Sequence, residues 1–202
     1  MSRKIRFPLQ HVLTICLVAG TFDGFAAAQP PPPVEVALPA LADAYVRAGT
    51  FSAQNFGASR TLTAKKGVSD DFTRRSYLTF DVSSVRDNDQ VMLRLNGRLS
   101  SAASHNVKTT VYAVPDVTWD ENTVTWNSRP ALGTVVGSAV LDGTAPQWVN
   151  VNLTRFVRSE KGAGRQVISV ALRDVFHSSA FSIFNSREAA EGAPALIVVP
   201  TP

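Results

Sequence analysis

Cysteine is almost absent: among 202 residues only Cys16 carries a thiol. A chain built this way has no disulfide framework, no thiolate nucleophile and no thiolate metal site. Histidine is nearly as scarce, at three residues. His105 and His177 lie in polar, turn-like surroundings, "SSAASHNVK" and "DVFHSSAF", that suit surface side chains. The zinc pattern H-E-x-x-H is missing, as is the G-x-S-x-G elbow that exposes a serine nucleophile. No internal repeat is visible, which excludes solenoids and propellers.

Long apolar runs are missing too. The best, "VLTICLVAG" from Val12 to Gly20, is too short to span a bilayer. It follows the basic "MSRKIR" and precedes "AAA", Ala26 to Ala28, before Gln29. A charged start, a short apolar stretch and a small-residue cleavage site predict a secretory signal peptide over residues 1–28. Cys16 would leave with it. A lipoprotein reading of Cys16 is disfavoured by the bulk of Ile15 before it. Export without disulfides fits a bacterial protein, extracellular or periplasmic. The net charge of +4 falls to +2 once Arg3, Lys4, Arg6 and Asp23 are removed. So small a charge argues against a nucleic-acid partner, and the mature chain is expected not to insert in a membrane.

Residues 29–41 begin as the polyproline run "QPPPP", a stiff extended leader in which Val34 to Leu38 could form a first edge strand. From 42 to 200 the chain reads as short strands. "SYLTFDV" sets Leu78, Phe80 and Val82 on one face and Tyr77, Thr79 and Asp81 on the other. "VMLRLNGRL" sets Val91, Leu93, Leu95 and Leu99 inward. Period-2 alternation continues in "NVKTTVYAV", "TVVGSAVL", "QWVNVNL", "QVISVAL", "AFSIF" and "ALIVVP", with turn-forming residues at the joints. The best helix is "LTRFVRSEKGAG", with Thr154 as cap, Phe156 and Val157 inward and Gly162 as stop. Many strands and one short helix predict an all-β sandwich.

Catalytic groups are hard to assemble from this pattern. Asp116, Asp120 and Glu121 in "PDVTWDENTVTWN" could serve as paired carboxylates, but aspartates there suit turn capping better. Asp120, Glu121 and Asn122 could donate oxygens to a structural calcium, which stays open; no other cofactor is expected. Tyr45, Tyr77 and Tyr112 lie inside strands, with no histidine placed to make a lyase pair. The cations say more. Arg47, Arg60, Lys65, Lys66, Arg74 and Arg75 face only Asp70 and Asp71 over the same span, a local +4. Arginine forks bind carboxylates at two points and lysine adds a point charge. The competing role is edge protection, since sheets blunt their edges with lysine and arginine. Trp148 alternates with Val149 and Val151 and so should point outward, as a sugar platform would; Trp119 and Trp126 flank a turn and suit a buried pin.

Five stretches come in a fixed order: "DAYVRAGTFSAQNFGASRTLTAKKG", "TRRSYLTFDVSSV", "VMLRL", "VYAVPDVTWDENTVTWNSRPALG" and "FNSREAAEGAPALIV". Together they resemble the DNRLRE domain (disaggregatase-related repeat), which is similar to carbohydrate-binding module family 96. The resemblance implies a jelly-roll β-sandwich and binding of an acidic polysaccharide such as alginate in a basic groove. Carried onto this chain, the groove positions are Arg60, Lys65 and Arg74, with Arg47 and Arg75 as neighbours. Thr63 and Ser69 stand where a more basic sequence could carry further lysines, so the groove is less charged than a strong alginate binder's. The resemblance also makes Trp119 and Trp126 scaffold. Three functions follow: a secreted, non-catalytic module for an acidic polysaccharide; a structural or adhesion domain of the envelope or matrix without glycan binding; and a small lyase or hydrolase, for which no catalytic set is readable.

Overall fold

Alternation in the sequence becomes eleven strands in the computed structural model, which describes residues 34–176 and 179–201. The expected signal peptide, the start of the leader and His177 lie outside the described residues. The strands are β1 (Val36–Pro39), β2 (Ala42–Arg47), β3 (Thr61–Ala64), β4 (Arg74–Asp81), β5 (Gln90–Leu99), β6 (Val107–Val114), β7 (Val135–Leu141), β8 (Gln147–Asn152), β9 (Val167–Asp174), β10 (Ser182–Asn185) and β11 (Ala195–Val199). One helix, α1 (Thr154–Gly162), joins β8 to β9. All pairings are antiparallel, in two sheets of a jelly-roll-type sandwich.

The first sheet has the order β1-β11-β5-β10-β3, with β8 on the free side of β5; the second has the order β2-β4-β9-β6-β7. The proline that ends β1 sits on an edge strand, where the missing N–H costs no ladder bond. Between the sheets lies the main core. Leu78, Phe80 and Val82 meet Val91, Leu93, Leu95 and Leu99 there, on the faces their alternation predicts, with Leu62, Phe184 and Leu172.

β4 is buried on both sides. Its other face carries Tyr77 into a second cluster with Ala44, Val46, Val114, Val124 and Ala171. The long segment between β6 and β7 covers that cluster with Trp119, Trp126 and Leu132. Trp119 Nε1 donates to Ser169 Oγ at 2.9 Å, and the Tyr77 hydroxyl donates to the Pro130 carbonyl at 3.1 Å. The two tryptophans therefore pin this segment, as the resemblance implies. Gly57 lies against it so closely that a Cβ would stand 2.1 Å from the Glu121 carbonyl oxygen, which leaves room for no other residue.

The helix differs from its expected capping. Leu153, not Thr154, is the N-cap residue, and no side chain caps from that position. Asn152 Oδ1 accepts from Thr154 N at 3.0 Å. The Thr154 hydroxyl instead accepts from Val91 N at 2.9 Å, tying the helix to β5. Termination also moves: Gly162 is the last helical residue, and the left-handed turn is taken by Gly164 at φ 82°. No helix among the described residues is long and apolar enough to cross a membrane.

Candidate functional site

β2 and β4 pair with Arg47 opposite Arg74, Tyr45 opposite Ser76 and Asp43 opposite Leu78. Directly opposed residues share a face. Leu78 lies in the inter-sheet core, so Arg47, Arg74 and Tyr45 line the same face farther along the strands. The end of β3, at the edge of the first sheet, comes alongside: Lys65 and Arg74 exchange backbone hydrogen bonds of 3.1 and 3.0 Å. Three elements thus bring Arg47, Lys65 and Arg74 into one cluster at the seam between the sheets.

Each cation rests on a ring. The Arg47 guanidinium carbon stands 3.8 Å from the Phe51 centroid, and that of Arg74 stands 4.6 Å from Phe181. Lys65 Nζ is 5.6 Å from the same Phe181 ring. Tyr45 stacks on Phe56 at 4.4 Å. Among the described residues no carboxylate forms an ion pair with any of the three cations; Asp70 pairs with Lys66 instead, at 3.7 Å. Burial, then the charges of Arg74 and Arg47, push the Lys65 ammonium below its ordinary pKa. Burial and Arg47 do the same to Arg74, partly offset by Tyr45. Burial raises the Tyr45 hydroxyl against the pull of Arg74 and Arg47. These are cations crowded together with no ion-pair partner among the described residues.

The other sequence-derived positions fall elsewhere. Arg75 points to the opposite face of β4, where its guanidinium carbon is 5.1 Å from the Trp126 ring centroid. Arg60 is exposed just before β3, five residues from Lys65 and so roughly 16 Å along an extended chain. Thr63 is buried, so a lysine there would not reach a groove, whereas Ser69 is exposed. Trp148 is exposed, as its alternation predicts, and pairs with Asn96 on the outer face of the first sheet. Gly97 is flanked by Gln147 of β8 and Phe184 of β10, so β8 lies three strand spacings from β3, about 14 Å. A separate cleft of about 910 Å³ between α1 and β7 presents Arg155, Arg158 and Arg165, the last paired with Glu160 at 2.9 Å. None of the sequence-derived cations lines it.

In the oxygen set expected for calcium, Asp120 and Glu121 turn to different partners. Asp120 Oδ1 accepts from Asn122 within its own turn, and Asp116 Oδ1 from Thr118, so these aspartates cap turns. Glu121 alone turns inward. Its oxygens accept from Asp43 N at 2.8 Å and pair with Arg187 at 3.1 Å. Asp43, Glu121 and Glu188 offer oxygens within 4.8 Å of one another, a set suited to a hard cation. Arg187 already supplies positive charge there, pairing with Glu121 and Glu188 and donating its backbone N–H to Asp43 Oδ2 at 2.8 Å. Burial is the main cause that raises Asp43 to about 7, with Glu188 and Glu121 adding to it. The knot joins β2, the covering segment and the loop after β10.

The molecule is thus a two-sheet sandwich in which a cluster of three cations is backed by aromatic rings. The family model for carbohydrate-binding module family 96 matches residues 34–200, and the chain belongs to that family. It is also similar to a gellan lyase from a Bacillus species, 25% identical over 133 residues. That match covers 62% of this chain and only 5% of the lyase.

Proposed function

We propose that this protein is an exported, non-catalytic module that binds an acidic polysaccharide through Arg47, Lys65 and Arg74. The observation that carries the reading is the convergence of three half-buried cations, each against an aromatic ring, with no carboxylate partner among the described residues. Uronate carboxylates on a polymer would supply the missing charge, two-point to the arginines and as a point contact to Lys65. Tyr45, Phe51 and Phe181 offer ring faces or edges to the sugar. Family membership supports glycan binding, and the similarity to part of a gellan lyase is in keeping with it. Alginate, other polyuronates and gellan are the ligands to try first.

Lyase chemistry is the weaker reading. Tyr45 stands beside two arginines, as a base and neutraliser would, but its proton is held more tightly than usual. A general base needs the opposite shift.

Affinity electrophoresis in gels holding alginate, pectate, gellan or a neutral glucan tests the reading. Retardation by acidic glycans alone, lost in Lys65→Ala/Arg74→Ala, is the expected result. No retardation in any gel would leave a structural envelope or matrix domain as the better account. Ultraviolet absorbance from new unsaturated ends would instead revive the lyase.

A further inference from the structure

We propose that Arg75, Arg129 and Arg173 form a second anion site, on the outer face of the second sheet, for the carboxylates of the same acidic polysaccharide. This rests on the polysaccharide reading above.

Ser76 pairs with Leu172 across β4 and β9, so one step farther Arg75 faces Arg173. Like charges directly opposed on neighbouring strands destabilise a sheet. The covering segment then adds a third cation instead of an acid. Arg129 lies 3.9 Å above the Trp126 ring that Arg75 also approaches, and it donates to the Trp126 carbonyl. All three guanidiniums act on the Tyr77 hydroxyl, lowering it against the larger effect of burial. Among the described residues none of the three forms an ion pair with a carboxylate, Asp70 acting on Arg129 only from a longer distance, and the buried Nε atoms of Arg75 and Arg173 have no acceptor. Buried donors are nearly always satisfied in folded proteins. Clamping the covering segment to the sheet would need one arginine on Trp126, not three converging cations. What the patch lacks is an oxyanion with several acceptor lone pairs, which a uronate carboxylate has.

Calorimetric titration of the protein with tetragalacturonate and tetramannuronate, together with thermal melting without ligand, tests the proposal. Wild type should take up two oligosaccharides. Arg129→Gln/Arg173→Gln should weaken one of them by about tenfold or more, while Lys65→Ala/Arg74→Ala weakens the other. Relief of repulsion should also keep the melting temperature of unliganded Arg173→Gln at or above that of wild type. A single wild-type site, unaffected by Arg129→Gln/Arg173→Gln, would overturn the second site and leave the first intact. A lowered melting temperature in Arg173→Gln with binding unchanged would make the patch a structural clamp. No binding by wild type would overturn both readings.

Discussion

Adjacent residues on a strand point to opposite faces, and at Arg74 and Arg75 this sends two guanidiniums to different places. The sequence shows the local +4 but cannot say which cations meet, because that depends on which strands pair. Arg47, Lys65 and Arg74 meet; Arg60 does not join them. Arg129 and Arg173 carry no signal in the sequence for the same reason. Their partner Arg75 is more than fifty residues from either, and only the register of β4 with β9 and the path of the covering segment bring them near. Asp43 carries a prediction at this scale. Its carboxyl titrates at about 7 in the folded protein against an ordinary 3.8, so the folded chain holds a proton that the unfolded chain has lost between those values. Stability from this group therefore falls as pH rises from about 4 to 7, by about 4 kcal/mol in all. Asp81 and Asp116 work the other way, being held low by hydrogen bonds from Ser83 and Thr118, and lose their contribution as pH falls below about 4. Urea unfolding should give greater stability at pH 5.5 than at pH 8.5. Asp43→Asn should reduce that difference, leaving the smaller part due to Asp174, which burial raises to about 6, and gain stability at pH 8.5; an unchanged pH profile would show that Asp43 is ionised throughout.

At the scale of elements, period 2 made β4 and β5 legible with their faces correctly assigned, since a half-buried strand writes its burial into alternate residues. Coverage of the outer face of β4 was less so. Tyr77 is polar enough to suit solvent, and the segment that buries it has no period of its own; only the paired tryptophans hinted at a pin. The helix was placed rightly but its cap was misassigned, because a threonine at a helix start looks the same whether its hydroxyl turns to its own helix or to a neighbouring strand. Here it satisfies the buried Val91 N–H. Thr154→Val should therefore cost about 1–3 kcal/mol in urea unfolding, the penalty of an orphaned buried donor. A helix-capping role would predict a loss in helical signal instead, with β5 unaffected. Amide exchange at Val91 separates the two, and should speed up in the variant.

On the scale of the whole molecule, the family was legible because five degenerate stretches keep their order over nearly all of residues 42–200, and the family model covers 34–200. The site was legible only as a charge excess. Exposed ion pairs contribute at most about 1 kcal/mol each, and micromolar affinity needs about 8 kcal/mol. Three cations alone fall short, so desolvation at the half-buried cluster, ring contacts and many repeats along a polymer must contribute the rest. Binding carried by charge weakens as salt screens it. Affinity for a polyuronate should drop steeply between low salt and 0.5 M sodium chloride, whereas an aromatic platform centred on Trp148 would bind almost independently of salt. The most direct test is the dissociation constant of a polyuronate at low salt for wild type and for Lys65→Ala/Arg74→Ala. The cation cluster predicts a loss of at least about tenfold in the variant with an unchanged melting temperature. Equal affinity in the two proteins would contradict it and move the binding face away from the seam between the sheets.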